Sequence, residues 1–211
     1  SAPWGLSVYN LAARMRSIEK LMLDPFDNED FYCKLMDVLA RISIEYDCEL
    51  AKANGDVISY AGNIANSGLI GKSFFDQFIL PYEKKVVNAI HQAGSFTLYH
   101  NCGKAEVLQQ SYVEMGITAW ETLSEYPRGD NDLVRAKKSI GDKITLVGNL
   151  DQVDFLKKAT VPEIYTKVER MMDTAKPRGK YIFSCSDFLE KETPIENVKA
   201  MIDAAKLYGK Y

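Results

Sequence analysis

Five short apolar runs alternate with amphipathic helical patterns along the 211 residues, and this rhythm limits the possible folds more than any other feature. The runs are "DVISYAG" (56–62), "SFTLYHNCG" (95–103), "TAWETLSEY" (118–126), "KITLVGN" (143–149) and "KYIFSCSDF" (180–188). They are rich in β-branched and aromatic residues and bounded by turn residues such as "ANGD" and "HQAGS". Their hydrophobicity is near-continuous rather than alternating, as a parallel sheet covered by helices requires.

The spacing of apolar residues predicts helices between these runs. One covers 28–53 and stops at Asn54-Gly55, and another covers 73–93 with a kink or break at Pro81. A third over 104–116 ends in Gly116 as C-cap, and a fourth over 130–141 runs from an acidic cap to Gly141. The helix over 160–175 has Thr160 as N-cap and Pro162 in its first turn, and 193–209 repeats that grammar with Thr193 and Pro194. The expected class is α/β, either a (β/α) barrel or a doubly wound sheet, in a single domain over 1–211. A closed barrel takes eight strands and about 250 residues, so this chain is short by about three βα units.

Composition narrows the function. At 46% hydrophobic residues there is ample material for a core, and a net charge of −3 without basic clustering argues against nucleic-acid binding. No apolar run approaches the roughly 18 residues needed to span a bilayer, and no signal peptide opens the chain, so a cytoplasmic setting is expected. Cys33, Cys48, Cys102 and Cys185 are too widely spaced for a small secreted disulfide framework. Cys33 and Cys48 fall within one helix, 15 residues apart, and are assigned to the core.

In a parallel α/β fold chemistry gathers at the C-terminal ends of the strands. There the second run carries His100 and Cys102, the third Glu121 and Glu125, the fourth "GNLD" (148–151), and the fifth Cys185 and Asp187. Zinc takes imidazole nitrogen, thiolate sulfur and carboxylate oxygen, and residues at i and i+2 of an extended segment point the same way. His100 and Cys102 can therefore reach one ion, with Cys185 as third ligand and Glu121 as a labile fourth. The alternative is that each cysteine is simply packed, with Glu121 paired to Arg128 or Lys143. His91, close to a helix end before Gly94, is assigned to the helix dipole.

Several phrases have a family character. "APWGLSVY" (2–9), "FILPYEKKVVNAIHQAG" (78–94), "GNLD" (148–151) and "TPIENVKAMI" (193–202) together resemble the uroporphyrinogen decarboxylase superfamily, a group of (β/α)8 barrels, over essentially all 211 residues. The resemblance implies a partial TIM barrel whose five strands are numbers four to eight of the family. It also implies that the family's arginine-rich amino-terminal segment and the catalytic aspartate after its second strand have no counterpart here. Tyr9 matches a substrate-contacting position of the decarboxylases, and Tyr9, Asn149 and Asp187 are the implied substrate contacts.

The His-x-Cys is similar to that of the corrinoid:thiol methyltransferases, such as the methylcobamide:coenzyme M enzymes, and of cobalamin-independent methionine synthase. By that resemblance His100, Cys102 and Cys185 are zinc ligands and Glu121 a catalytic carboxylate on the metal; on chemical grounds Asp187 or Glu125 is expected to orient the ligands. The implied reaction transfers a methyl group from a methyl-corrinoid, carried by a partner protein, to a small thiol. Two other readings compete: a metal-independent decarboxylase of porphyrin biosynthesis, and a barrel fragment that binds a ligand or partner without turnover. Open strand edges are expected to attract a second copy of the chain. A chain that opens on a strand-end loop is expected to be a cut rather than a natural start.

Overall fold

A computed structural model describes residues 2–53 and 55–210. Asn54, expected to stop the first long helix, lies outside the described residues. Strands β1 (Val57–Ala61), β2 (Phe96–His100), β3 (Ala119–Thr122), β4 (Thr145–Leu150) and β5 (Tyr181–Cys185) form one sheet in that order. β1 pairs parallel with β2, Ala61 opposite His100, and β4 pairs parallel with β5, Leu150 opposite Cys185. Each strand arises within one of the five apolar runs, β4 reaching one residue further. No helix among the described residues is long and apolar enough to cross a membrane.

By its contacts the chain divides into two compact units. One comprises the residues up to Asn101 together with Val107–Ala119; the other comprises Cys102–Glu106 and the residues from Trp120 on.

The first unit holds α1 (Val8–Arg16), α2 (Ile18–Asp27), α3 (Glu29–Lys52), α4 (Lys72–Phe74), α5 (Leu80–Gln92) and α6 (Gln109–Met115) around β1 and β2. Residues 3–5 lie parallel beside β1, with Gly5 N donating to Ser59 O at 2.7 Å and Ser59 N to Pro3 O at 2.9 Å. A file of rings fixes β2: Tyr60–Tyr99 at 5.1 Å, Tyr99–Tyr112 at 5.4 Å and Tyr112–Phe75 at 5.9 Å. Successive residues of a strand face opposite ways, so Tyr99 entering this core turns His100 to the other face.

Two buried carboxylates hold the start of α1. Glu83 accepts hydrogen bonds from Ser7 Oγ at 2.8 Å and Tyr9 N at 3.0 Å, and Asp47 accepts from Leu6 N at 2.9 Å. Burial pushes the Asp47 carboxyl up to about 7, with the nearby charge of Glu83 acting in the same direction.

The second unit holds α7 (Leu133–Ile140), α8 (Val161–Ala175) and α9 (Ile195–Tyr208) with β4 and β5. α7 starts where Asp132 accepts from Arg135 N at 2.8 Å, and α8 starts at a capping box in which Glu163 accepts from Thr160 N and Oγ.

The structure changes three expectations. α1 and α2 lie in a stretch where no helix was predicted. Pro81 sits in the first turn of α5, where its missing N–H costs nothing, and the irregularity falls just before it, in a π-helical turn over Phe75–Ile79. Thr193 does not cap α9: its hydroxyl donates to Glu190 O at 2.7 Å, and Pro194 occupies the cap position. His91 lies in the last turn of α5, where the dipole reading placed it, and two hydroxyls also hold its ring. Its Nε2 lies 3.2 Å from Thr97 Oγ1 and 3.1 Å from Thr118 Oγ1, and burial lowers its pKa.

Candidate metal centre

His100 is the last residue of β2, and the backbone around it is fixed from the neighbouring strand. Gly62 N donates to His100 O at 2.7 Å. Only glycine fits there, because a Cβ at position 62 would lie 1.7 Å from the Tyr99 hydroxyl. On its open side the His100 ring meets Trp4, with centroids 6.1 Å apart.

Cys102 begins a loop that is tied down in the second unit. The Asp130 carboxylate accepts from Ala105 N at 2.7 Å and Glu106 N at 3.0 Å, and Asn131 Nδ2 donates to Gly103 O at 3.3 Å. Opposite this loop the end of β5 is anchored to β4. Ser186 N donates to Leu150 O at 2.9 Å, and Ser186 Oγ donates to Gln152 Oε1 at 2.9 Å.

These two anchored segments bring Cys102 and Asp187 together, the thiol sulfur and a carboxylate oxygen lying within 4.8 Å of one another. Asp187 also accepts a hydrogen bond from Phe188 N at 2.8 Å, which leaves carboxylate lone pairs open to a further partner.

Cys185 is placed differently. Along β5 it shares a face with Tyr181, and its sulfur packs 3.4 Å from Met201 Sδ on α9. Burial pushes its thiol up to about 11, with Asp151 adding to the shift. Glu121 stands half-buried on β3. Glu125 is engaged by Asn149 Nδ2 at 3.1 Å and by Lys167 Nζ at 3.4 Å. Asn149 is fully buried, and its Oδ1 has no hydrogen-bond partner among the described residues. Tyr9 is fully buried too, edge-on to Phe74 at 6.3 Å, and burial raises its hydroxyl pKa. Cys33 and Cys48, assigned to the core, are each only half-buried.

Comparison with known proteins gives the arrangement its context. The family model described as uroporphyrinogen decarboxylase (URO-D) matches residues 1–208. The chain belongs to the uroporphyrinogen decarboxylase family.

Within the URO-D family the chain is 27% identical to "Methylcobamide:CoM methyltransferase MtbA" of Methanosarcina mazei, over 87% of this chain and 51% of that protein. It is 26% identical to "Methylcobamide:CoM methyltransferase MtaA" of Methanosarcina barkeri, over 94% of this chain and 55% of that protein. It is 25% identical to "Uroporphyrinogen decarboxylase" of Solibacter usitatus, over 82% and 46%. Among solved structures, a methyltransferase from Methanosarcina mazei superposes with a TM-score of 0.84 over 98% of this chain and 58% of that one, at 21% identity. That likeness bears out the expected fold: five parallel strands of a URO-D-type TIM barrel with their helices. The chain spans about half the length of the curated relatives it matches.

Proposed function

We propose that this URO-D family chain carries the metal-binding half of a methyltransferase that passes a methyl group from a methyl-corrinoid to a small thiol. The observation that carries the reading is the approach of Asp187 to Cys102, beside the His100-x-Cys102 pair. Imidazole nitrogen, thiolate sulfur and carboxylate oxygen form a donor set that suits zinc, and three protein ligands leave one position for an exchangeable group. Bound there, zinc would lower the pKa of an incoming thiol and hold it as a Lewis acid.

The ligand assignment favours His100, Cys102 and Asp187, with Glu121 as the candidate fourth group and Cys185 held in reserve behind Asp187. The chain's own contribution is positional. The ring file behind β2 sets His100, Asp130 and Asn131 set the Cys102 loop, and the ties of Ser186 set Asp187. In the reaction the thiol gives up its proton, and a sulfur lone pair forms the new S–CH3 bond. The electron pair of the C–Co bond stays with the cobalt. The methyl-corrinoid comes from outside this chain, from a corrinoid protein, and Asn149 Oδ1 is a buried acceptor available to substrate or water.

Relatives of the decarboxylase name favour a second reading, a carboxy-lyase acting on a porphyrinogen. The first experiment separates the two. Purified chain is analysed for metal by mass spectrometry and assayed for demethylation of methylcobalamin in the presence of thiols. About one zinc per chain, lost in Cys102→Ser, supports the methyltransferase reading. A metal-free chain that binds porphyrinogen overturns it.

A further inference from the structure

We infer that the basic turn before β5 is an anion site that takes a phosphate group, held by Arg178 and Lys180 with Lys137 beside them. The site lies wholly in the second unit, at the opposite end of β5 from Asp187, and does not depend on the methyltransferase reading.

Three cations fall within five residues of sequence: Lys176, Arg178 and Lys180. Arg178, Gly179 and Lys180 have φ of 67°, 68° and 54°, so the chain turns tightly there, with a cation on either side of the glycine. A fourth cation reaches the turn from α7, where Lys137 Nζ donates to Gly179 O. Lys137 is only 6% exposed, whereas Arg178 and Lys180 are open to solvent. A buried ammonium thus stands against the turn that carries the exposed pair.

The acceptors that these lysines meet among the described residues are neutral carbonyls. Lys180 Nζ donates to Asp142 O at 2.8 Å and Lys143 O at 3.3 Å, and Lys176 Nζ to Tyr208 O at 2.9 Å and Lys210 O at 3.0 Å. Among the described residues no carboxylate lies within ion-pair distance of the four, in contrast to Arg128, which holds Asp151 and Asp154. Burial lowers the pKa of Lys137, and the charges of Arg178 and Lys180 lower it further, so both cations are felt at its amine. An anion at the turn would relieve that repulsion.

The chemistry selects phosphate. A carboxylate brings one charge, whereas a phosphate monoester brings about −1.5 to −2 near pH 7 and three acceptor oxygens. Arg178 meets such a group with two parallel donors, and the lysines meet it as point charges. A Cβ at position 179 would meet no atom within 4 Å, so a ligand has room against the backbone of the turn. The patch is compact and the net charge of the chain is −3, which suits a small phosphate ligand rather than a nucleic-acid strand.

Isothermal titration calorimetry on the purified chain tests this with inorganic phosphate, glycerol phosphate and pyrophosphate, against acetate and chloride at matched ionic strength. Saturable binding at one site per chain is expected, without saturation by acetate. Arg178→Gln should weaken it by about tenfold or more, Arg178→Lys by less, and Lys20→Gln on α2 not at all. Arg178 and Lys20 are exposed, so the three variants should melt with the wild type when no phosphate is added. Added phosphate should raise the melting midpoint of the wild type and not that of Arg178→Gln. Tighter glycerol phosphate assigns a monoester, tighter pyrophosphate a diphosphate, and tighter inorganic phosphate the free ion. No saturation, equal saturation by acetate, or equal weakening in Lys20→Gln overturns the proposal. Binding of a single-stranded RNA by a chain that ignores all three small ligands also overturns it, and assigns the patch to nucleic acid.

Discussion

Asp187 brings a carboxylate oxygen within 4.8 Å of the Cys102 sulfur. Two residues earlier, at the end of β5, Cys185 packs its sulfur against Met201 Sδ instead, 3.4 Å away. The choice between the two as third metal ligand is thus a choice between the last residue of β5 and the turn that follows it.

Metal content decides it. Asp187→Ala is expected to lose most of the bound zinc, while Cys185→Ser keeps it. Mass spectrometry on the two purified variants gives the answer, and the reverse pattern would return Cys185 to the ligand set. Cys185→Ser should still cost about 1 kcal/mol of stability, because a hydroxyl replaces a packed thiol against Met201.

The buried carboxyls of Asp47 and Glu83 make stability depend on pH. Both have folded-state pKa values raised by burial, Asp47 to about 7. An acid whose folded pKa exceeds its unfolded value keeps its proton longer in the folded chain. Stability therefore falls as pH rises from the unfolded pKa near 4 through about 7. Thermal midpoints measured between about pH 5 and about pH 8 should drop, and Asp47→Asn should flatten part of that slope. An amide oxygen can still accept from Leu6 N, so the variant is expected to fold.

Gly62→Ala tests how firmly the neighbouring strand fixes His100. The added methyl group would overlap the Tyr99 hydroxyl and ring, with carbon and oxygen at 2.2 Å and 1.7 Å. Overpacking of this kind costs at least about 1–3 kcal/mol. Chemical denaturation should show that loss, and zinc stoichiometry should fall with it if the Gly62 N to His100 O bond is broken.

In the second unit, Thr160→Ala removes one of the two donors to Glu163 at the start of α8. A loss of about 1 kcal/mol is expected in urea unfolding, with metal content unchanged. The pair of results with Gly62→Ala separates general stability from the integrity of the site.

The strands were legible because each is an uninterrupted apolar run, and a parallel sheet between helices leaves no other place for such runs. Helix starts were legible where a side chain supplies the cap, as with Asp132 and Thr160. They failed at Thr193, whose hydroxyl turns back to Glu190, a local competition that residue type alone does not reveal. α1 and α2 were missed because what holds α1 comes from far along the chain: Glu83 caps it from 74 residues away through Tyr9 N. The His100-x-Cys102 pair was visible as a spacing. Asp187 was read as a substrate contact or as a group orienting the ligands rather than as a ligand, because its approach to Cys102 depends on how the chain leaves β5, through Ser186 and Gln152. One signal did exist: Cys185 falls in phase with Tyr181, a large apolar residue that belongs on the packed face.

The way the chain threads its two compact units has a practical consequence. Residues 102–106 leave the first unit for the second, and 107–119 return. No single scission of the polypeptide releases both units whole. A gene divided at the last crossing, before Trp120, would send Cys102 with the leading fragment and Asp187 with the trailing one. The two donors would then meet again only if the fragments found each other.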